Sequence, residues 1–291
     1  MEQEIIQVQQ ADMLQAMNRA EIDQQVATAK QYPRDLHAVL NQIQTYATMD
    51  VDTASECFYV LRRNAGGGSQ QVIEGLSVRM AEIIAGAWGN LRVATRIIGN
   101  DGKTITAQAV CHDLETNVAI SQEVKRSILT KQGYTFSQDM QVVTGNAAAA
   151  IAFRNAVLKV IPKAVTKRVI EEVKRVAMGQ ALDLEKQRQV LIQYFAKFNV
   201  TEQMIYELLE IKQREELDKE RVFFLKGLYN AIKEGDTTVQ EAFIKPVEER
   251  RIAEEAKKKS DATKSKAAAA IKKQSAPENV DPETGEIKEE K

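Results

Sequence analysis

Between Leu91 and Ile128 three β-like runs follow one another with almost no chain between them, and no other stretch constrains the fold as strongly. Leu91–Ile98 is separated from Thr104–His112 by Gly99-Asn100-Asp101-Gly102, and Leu114–Asn117 then leads into Val118–Ile128. Connections this short join neighbouring antiparallel strands, because a parallel crossover needs roughly a dozen residues or more. Alternation is clearest in the second run, where Ile105, Ala107, Ala109 and Cys111 share one face. An antiparallel meander is therefore predicted.

Helical patterns surround it. Before the meander they cover about Ala11–Lys30, then Asp35–Met49 with Leu36, Val39, Leu40, Ile43 and Tyr46 on one face. A third helix, capped by Asp52 or Thr53, is expected to run to about Leu61, and a fourth spans about Ser77–Ala87. After the meander, Thr130–Gln138 reads as a polar, aromatic loop. Asn146 is expected to cap Ala147–Val160, whose alanine-rich start suits close helix–sheet packing, and Pro162 opens a further helix to about Met178. Residues 183–245 hold a compact set of amphipathic helices.

The expected fold class is α+β. It has a helical N-terminal region (1–63), a Gly-rich linker (64–71) and an α+β core (72–179) holding the three-stranded antiparallel meander flanked by helices. A small C-terminal helical module (183–245) and a charged, largely disordered tail (246–291) follow.

Composition narrows the class. The 44% apolar and 28% charged residues suit a soluble domain, and no run approaches the ~20 apolar residues of a membrane span. The start, MEQEIIQVQQ, lacks the basic-then-apolar order of a secretory signal, and two cysteines without CxxC spacing favour a reducing compartment. A cytoplasmic protein with no membrane association is expected. The net charge of −1 conceals an uneven distribution. Residues 1–61 carry 3 basic and 9 acidic side chains, whereas residues 62–179 carry 16 and 9, an excess of seven. A basic middle between acidic flanks points to a polyanionic partner.

Catalytic patterns are missing. Gly66–Gly68 lacks the GxxxxGK[ST] spacing of a phosphate loop and reads as a linker. Cys111 and His112, as strand neighbours, point to opposite faces and cannot readily share one ion, while two histidines without GxSxG suggest no triad. No catalytic residue, metal or cofactor is expected. A metal-dependent nuclease centred on Asp113 and Glu115 is the least favoured alternative.

The basic residues carry more information. Arg92 and Arg96 share a strand face, Lys125 and Arg126 end the third strand, and Lys131 enters the loop with Tyr134 and Phe136. Arg154, Lys159, Lys163, Lys167 and Lys174 follow on helices. Cations attract phosphates regardless of sequence, and aromatic rings offer stacking surfaces to unpaired bases. These ten cations, with Tyr134 and Phe136 for stacking, are the expected DNA-binding set. Arg92 and Arg96 would face Arg154 and Lys159 across a groove between sheet and helix. For Trp88, core packing is the expectation.

The order of helix, meander, basic-aromatic loop and small-residue helix with Arg154 and a Lys-Val-Ile-Pro end resembles phage single-strand annealing proteins of the RecT/Redβ type. Ile73-Glu-Gly-Leu-Ser-Val-Arg-Met-Ala-Glu, Ala87-Trp-Gly-Asn90 and Cys111-His-Asp-Leu-Glu-Thr-Asn117 are also similar to a widespread group of uncharacterised phage and prophage proteins. The resemblance covers roughly Ile73–Pro162, about a third of the chain. It implies ATP-independent annealing of complementary single-stranded DNA in phage recombination, with a basic-helix role for Arg154 and Lys159. It also implies a homo-oligomer, ring or filament, and docking of a phage exonuclease or host single-strand-binding protein through residues 183–245. A phage assembly protein that touches no DNA is the alternative from another class.

Overall fold

Side-chain oxygens set most helix starts. Asp35, Asp50, Ser77, Ser137, Thr201 and Asp218 each accept a backbone N–H of the first turn that the helix itself leaves unpaired. In the computed structural model, which describes residues 2–64, 70–130, 132–179 and 184–256, the order is α1 (Glu2–Gln31), α2 (Leu36–Ala47), α3 (Val51–Glu56), β1 (Phe58–Asn64), β2 (Gln70–Leu76) and α4 (Val78–Trp88). The meander β3 (Leu91–Asn100), β4 (Thr104–Asp113) and β5 (Val118–Ser127) follows, then α5 (Gln138–Val160) and α6 (Lys163–Ala177). The C-terminal helices are α7 (Leu184–Ala196), α8 (Glu202–Leu209) and α9 (Lys219–Lys233). A short π-helical turn over Gln240–Ile244 leads into a last helix ending at residue 256. Among the described residues no helix is long and apolar enough to cross a membrane.

The meander forms as expected, in the order β3-β4-β5 and antiparallel throughout. Asp101 closes its first turn by accepting the N–H groups of Lys103 and Thr104, with Gly102 at φ +78°. Along β4 burial alternates strictly, and the buried set Ile105, Ala107, Ala109, Cys111 and Asp113 faces α5. Ala148, Ala152 and Ala156 of α5 are fully buried in the same core, so helix and sheet meet through methyl groups and approach closely.

Three local expectations are corrected. Residues 58–63 are strand, not helix, because β1 pairs with β2 in a hairpin running from Phe58↔Leu76 to Asn64↔Gln70. Residues 64, 70 and 71 accordingly belong to that hairpin and not to a linker, while Gly66–Gly68 lie outside the described residues. The helix expected to begin after Asn146 begins at Gln138, capped by Ser137. Gly145 lies within it and over the sheet, where a Cβ would make ordinary contact with Ile97 Cδ1 at 3.5 Å and Ile105 Cγ2 at 3.8 Å. In the tail, residues up to 256 are helical and 257–291 lie outside the described residues.

A second core, with Leu191, Phe195, Ile205, Leu225 and Leu228, holds the C-terminal helices together. Helix α9 serves both cores. Its Phe223 meets Phe58 edge-on at 5.5 Å, and Gly227 lets β1 approach so closely that a Cβ would clash with the Val60 side chain and lie 3.1 Å from the Val60 N. Asn230 Nδ2 donates to the carbonyls of Ser55 and Phe58, both at 2.9 Å, while Lys226 Nζ reaches Ser55 Oγ at 3.2 Å. These buried bonds tie the C-terminal helices to α3 and β1. The face of α9 that carries them is occupied within the chain.

Candidate nucleic-acid interface

Strand register determines which cations share a surface. Arg92 pairs with His112, Arg96 with Gln108, and Lys125 with Thr106. Cross-strand partners lie on one face, so Arg92, Arg96 and Lys125 stand together on the side of the sheet opposite α5. Four residues of strand separate the two arginines by roughly 13 Å. Small and polar neighbours surround them: Ala94, Thr104, Gln108, Val110 and Ser121. Among the described residues none of the three cations makes an ion pair, and α5 is the one helix packed extensively on this sheet. Glu123 shares the face across β4 from Arg96, without reaching ion-pair distance. His112 Nε2 lies 3.1 Å from Asn117 Oδ1. A cationic sheet face can grip phosphates along an extended strand.

The other expected cations are scattered. Arg126, next to Lys125 in sequence, necessarily points to the opposite face, where its Nη2 donates to the Gly235 carbonyl. Arg154 is buried. Its Nη1 holds Asp236 Oδ2 at 2.7 Å, and its guanidinium lies 4.6 Å over the Tyr59 ring. It braces α5 against the turn after α9 and the β1–β2 hairpin. The expected groove between meander and helix is absent because α5 lies flat on the sheet, which puts Arg92 and Arg96 on one side and Arg154 with Lys159 on the other.

Lys159 and Lys163 are exposed near the α5–α6 corner, without an ion pair among the described residues. Lys167 faces Glu171 at 3.9 Å in an exposed pair, whereas Lys174 Nζ is held by both Glu74 oxygens at 2.7 Å. Lys131 lies outside the described residues. Tyr134 projects from the loop tip with 73% of its surface exposed, while Phe136 is half-buried.

Asp113 and Glu115 belong to a structural knot that includes Arg34, a residue the sequence reading did not single out. Both Arg34 Nη atoms donate to Asp113 at 3.1 Å, its Nε donates to the Trp88 carbonyl at 2.7 Å, and its guanidinium stacks 4.4 Å over the Trp88 ring. Trp88 Nε1 also donates to Asp113, at 3.2 Å, and Asp113 Oδ1 accepts the N–H of Glu115 in the β4–β5 turn. Glu115 accepts the Arg34 N–H and an amide proton of Asn90. Burial works against the Asp113 charge, but the bonds from Arg34, Trp88 and Glu115 outweigh it and hold the carboxyl below its usual range. Both Asp113 oxygens are thus engaged, and the carboxylate pair on which the nuclease alternative depended serves as an anchor. Among the described residues no three potential metal-ligating side chains cluster. Burial pushes the thiols of Cys57 and Cys111 up to about 12 and about 11, as in unreactive core cysteines.

No family model matches the chain, and no curated protein or solved structure matches it.

Proposed function

We propose that the chain binds single-stranded DNA on the open face of β3–β5 and promotes ATP-independent annealing of complementary strands in phage recombination, within the bacterial cytoplasm. The observation that supports this most is the trio Arg92, Arg96 and Lys125, which among the described residues makes no ion pair and stands on the sheet face opposite α5. Cations retained without partners raise the local potential, and the cost of crowding them is recovered when phosphates bind and counterions leave. A strand laid out along the sheet keeps its base edges accessible. Neutralised phosphates lower the repulsion between two strands, and base pairing then supplies the driving free energy.

The exposed corner bearing Lys159, Lys163 and Lys167 is a second phosphate-attracting surface on the same reading. Self-association would align strands longer than one sheet can hold, and α1, whose described side chains are almost all exposed, is the element available for it. A phage exonuclease or host single-strand-binding protein would dock on the outer helices α7 and α8, since α9 is engaged with β1. A strand-annealing assay with complementary oligonucleotides, with and without Mg²⁺, tests the function. Annealing faster than the spontaneous rate, independent of ATP, supports it; cleavage requiring Mg²⁺, or no effect on annealing at low salt, contradicts it.

A further inference from the structure

Beneath the root of the β1–β2 hairpin, where α5 ends and α6 begins, lies a cavity of about 400 Å³, within the size range of small-molecule sites. Arg154 and Leu158 project into it from α5, about 200° and 240° around the helix from the Ala152 that meets the sheet. The cavity is therefore distinct from the open face of the meander.

Its chemistry is divided. The floor is apolar, formed by Phe58, Leu76, Ile84, Ile161 and Ile170. One wall is the Tyr59 ring, held by the Arg154 guanidinium at 4.6 Å and by Gly75, whose Cβ would come within 2.5 Å of the ring. Asn155 and Thr166 supply neutral polar groups. The Thr166 hydroxyl is buried with one long bond, 3.4 Å to the Lys163 carbonyl, and the Asn155 NH₂ has no partner among the described residues. The charges nearly cancel: Glu74 is clamped by Lys174, and Arg154 by Asp236. Lys163 is the cation left over.

We infer that this cavity binds a nucleoside monophosphate, as a free nucleotide or as the phosphorylated end of a strand. The apolar floor and ring wall accept a flat base, Asn155 and Thr166 offer donors and acceptors to its edge, and Lys163 meets the phosphate. This site is independent of the sheet-face trio Arg92, Arg96 and Lys125, but shares Lys163 with the exposed lysine corner.

Isothermal titration of the full chain with thymidine monophosphate, adenosine monophosphate, thymidine and inorganic phosphate tests it. The monophosphates are expected to bind with Kd below about 1 mM, and thymidine and phosphate alone about tenfold more weakly. Lys163→Ala should weaken the monophosphates about tenfold, with recovery in Lys163→Arg. Leu158→Trp or Ile170→Phe, whichever keeps the wild-type melting profile, should abolish binding by filling the cavity. Oligonucleotides with and without a 5′-phosphate separate the two sources. An Lys163→Ala loss confined to the phosphorylated strand assigns the strand end, and an unchanged strand affinity assigns the free nucleotide. Arg92→Ala with Arg96→Ala should leave mononucleotide binding intact, so failure of one site does not imply failure of the other. No heat from either monophosphate at about 1 mM, or binding that survives both a filled cavity and Lys163→Ala, overturns the inference.

Discussion

Arg34 and Asp113, 79 residues apart in sequence, form a two-pronged ion pair with both Nη–Oδ distances at 3.1 Å and with both side chains almost wholly buried. The pair fastens the segment before α2 to the end of β4, and Trp88 completes it from α4. Removing one partner leaves the other charge buried and unsatisfied, so Arg34→Ala should cost about 3–5 kcal/mol, read by denaturant unfolding followed through the Trp88 fluorescence. The same pair sets an acid limit. Because the folded-state pKa of Asp113 is depressed, its contribution is present above the unfolded carboxylate value near 4 and disappears as pH falls through the folded value. Wild-type stability should fall steeply below about pH 4, with a shallower fall in Arg34→Ala.

Glu234 behaves in the opposite sense. Burial, with the nearby carboxylates of Asp236 and Glu82, raises its pKa to about 7 against the help of the Val78 N–H and of Arg154. A carboxyl whose folded pKa lies above its unfolded value binds a proton more tightly when folded. Stability should therefore decline as pH rises from about 4.5 to about 7 and level off beyond. Glu234→Gln keeps an acceptor for Val78 and removes the titration. It is expected to stabilise the chain at pH 8 by up to about 2 kcal/mol, with little change at pH 4.5, measured by thermal melts across pH.

Arg154 separates a structural role from a DNA-binding one. Arg154→Ala should destabilise the fold by about 3–5 kcal/mol, and Asp236→Ala should do much the same. The double variant should lose far less than the sum, as expected for one shared interaction. Equal stability with a selective loss of DNA binding would assign Arg154 to the interface instead.

What could be read from sequence depended on whether the signal was local. The meander was legible because its turns and the alternation of Ile105, Ala107, Ala109 and Cys111 lie within one short stretch, and Ser77 and Asp35 announce their helices directly. The β1–β2 hairpin was not, since Phe58-Tyr-Val-Leu61 is an apolar run that suits helix or strand until its partner is known. Asn146 resembled a helix cap, yet α5 runs straight through it from its cap at Ser137. Arg34 gave no sign, because its partner lies on a distant turn. The cationic set was visible as composition, but only the register shows that Lys125 joins Arg92 and Arg96 while Arg126 and Arg154 are spent inside the fold.

The alanine interface between α5 and the meander offers a separate check. Ala152→Leu should force α5 away from β4 and cost about 1–3 kcal/mol in thermal or denaturant unfolding, whereas the same change at the exposed Ala164 should be nearly neutral.

Binding of a fluorescent single-stranded oligonucleotide, followed by anisotropy between about 50 and 200 mM salt, tests the sheet-face interface most directly. Arg92→Ala with Arg96→Ala removes two cations that make no ion pair among the described residues, so melting should be unchanged. Affinity should drop, and the slope of log K against log salt should become shallower by about 1.4, at about 0.7 per phosphate contact on a single strand. An unchanged affinity and slope in that double variant would contradict the placement of DNA on the open face of the meander.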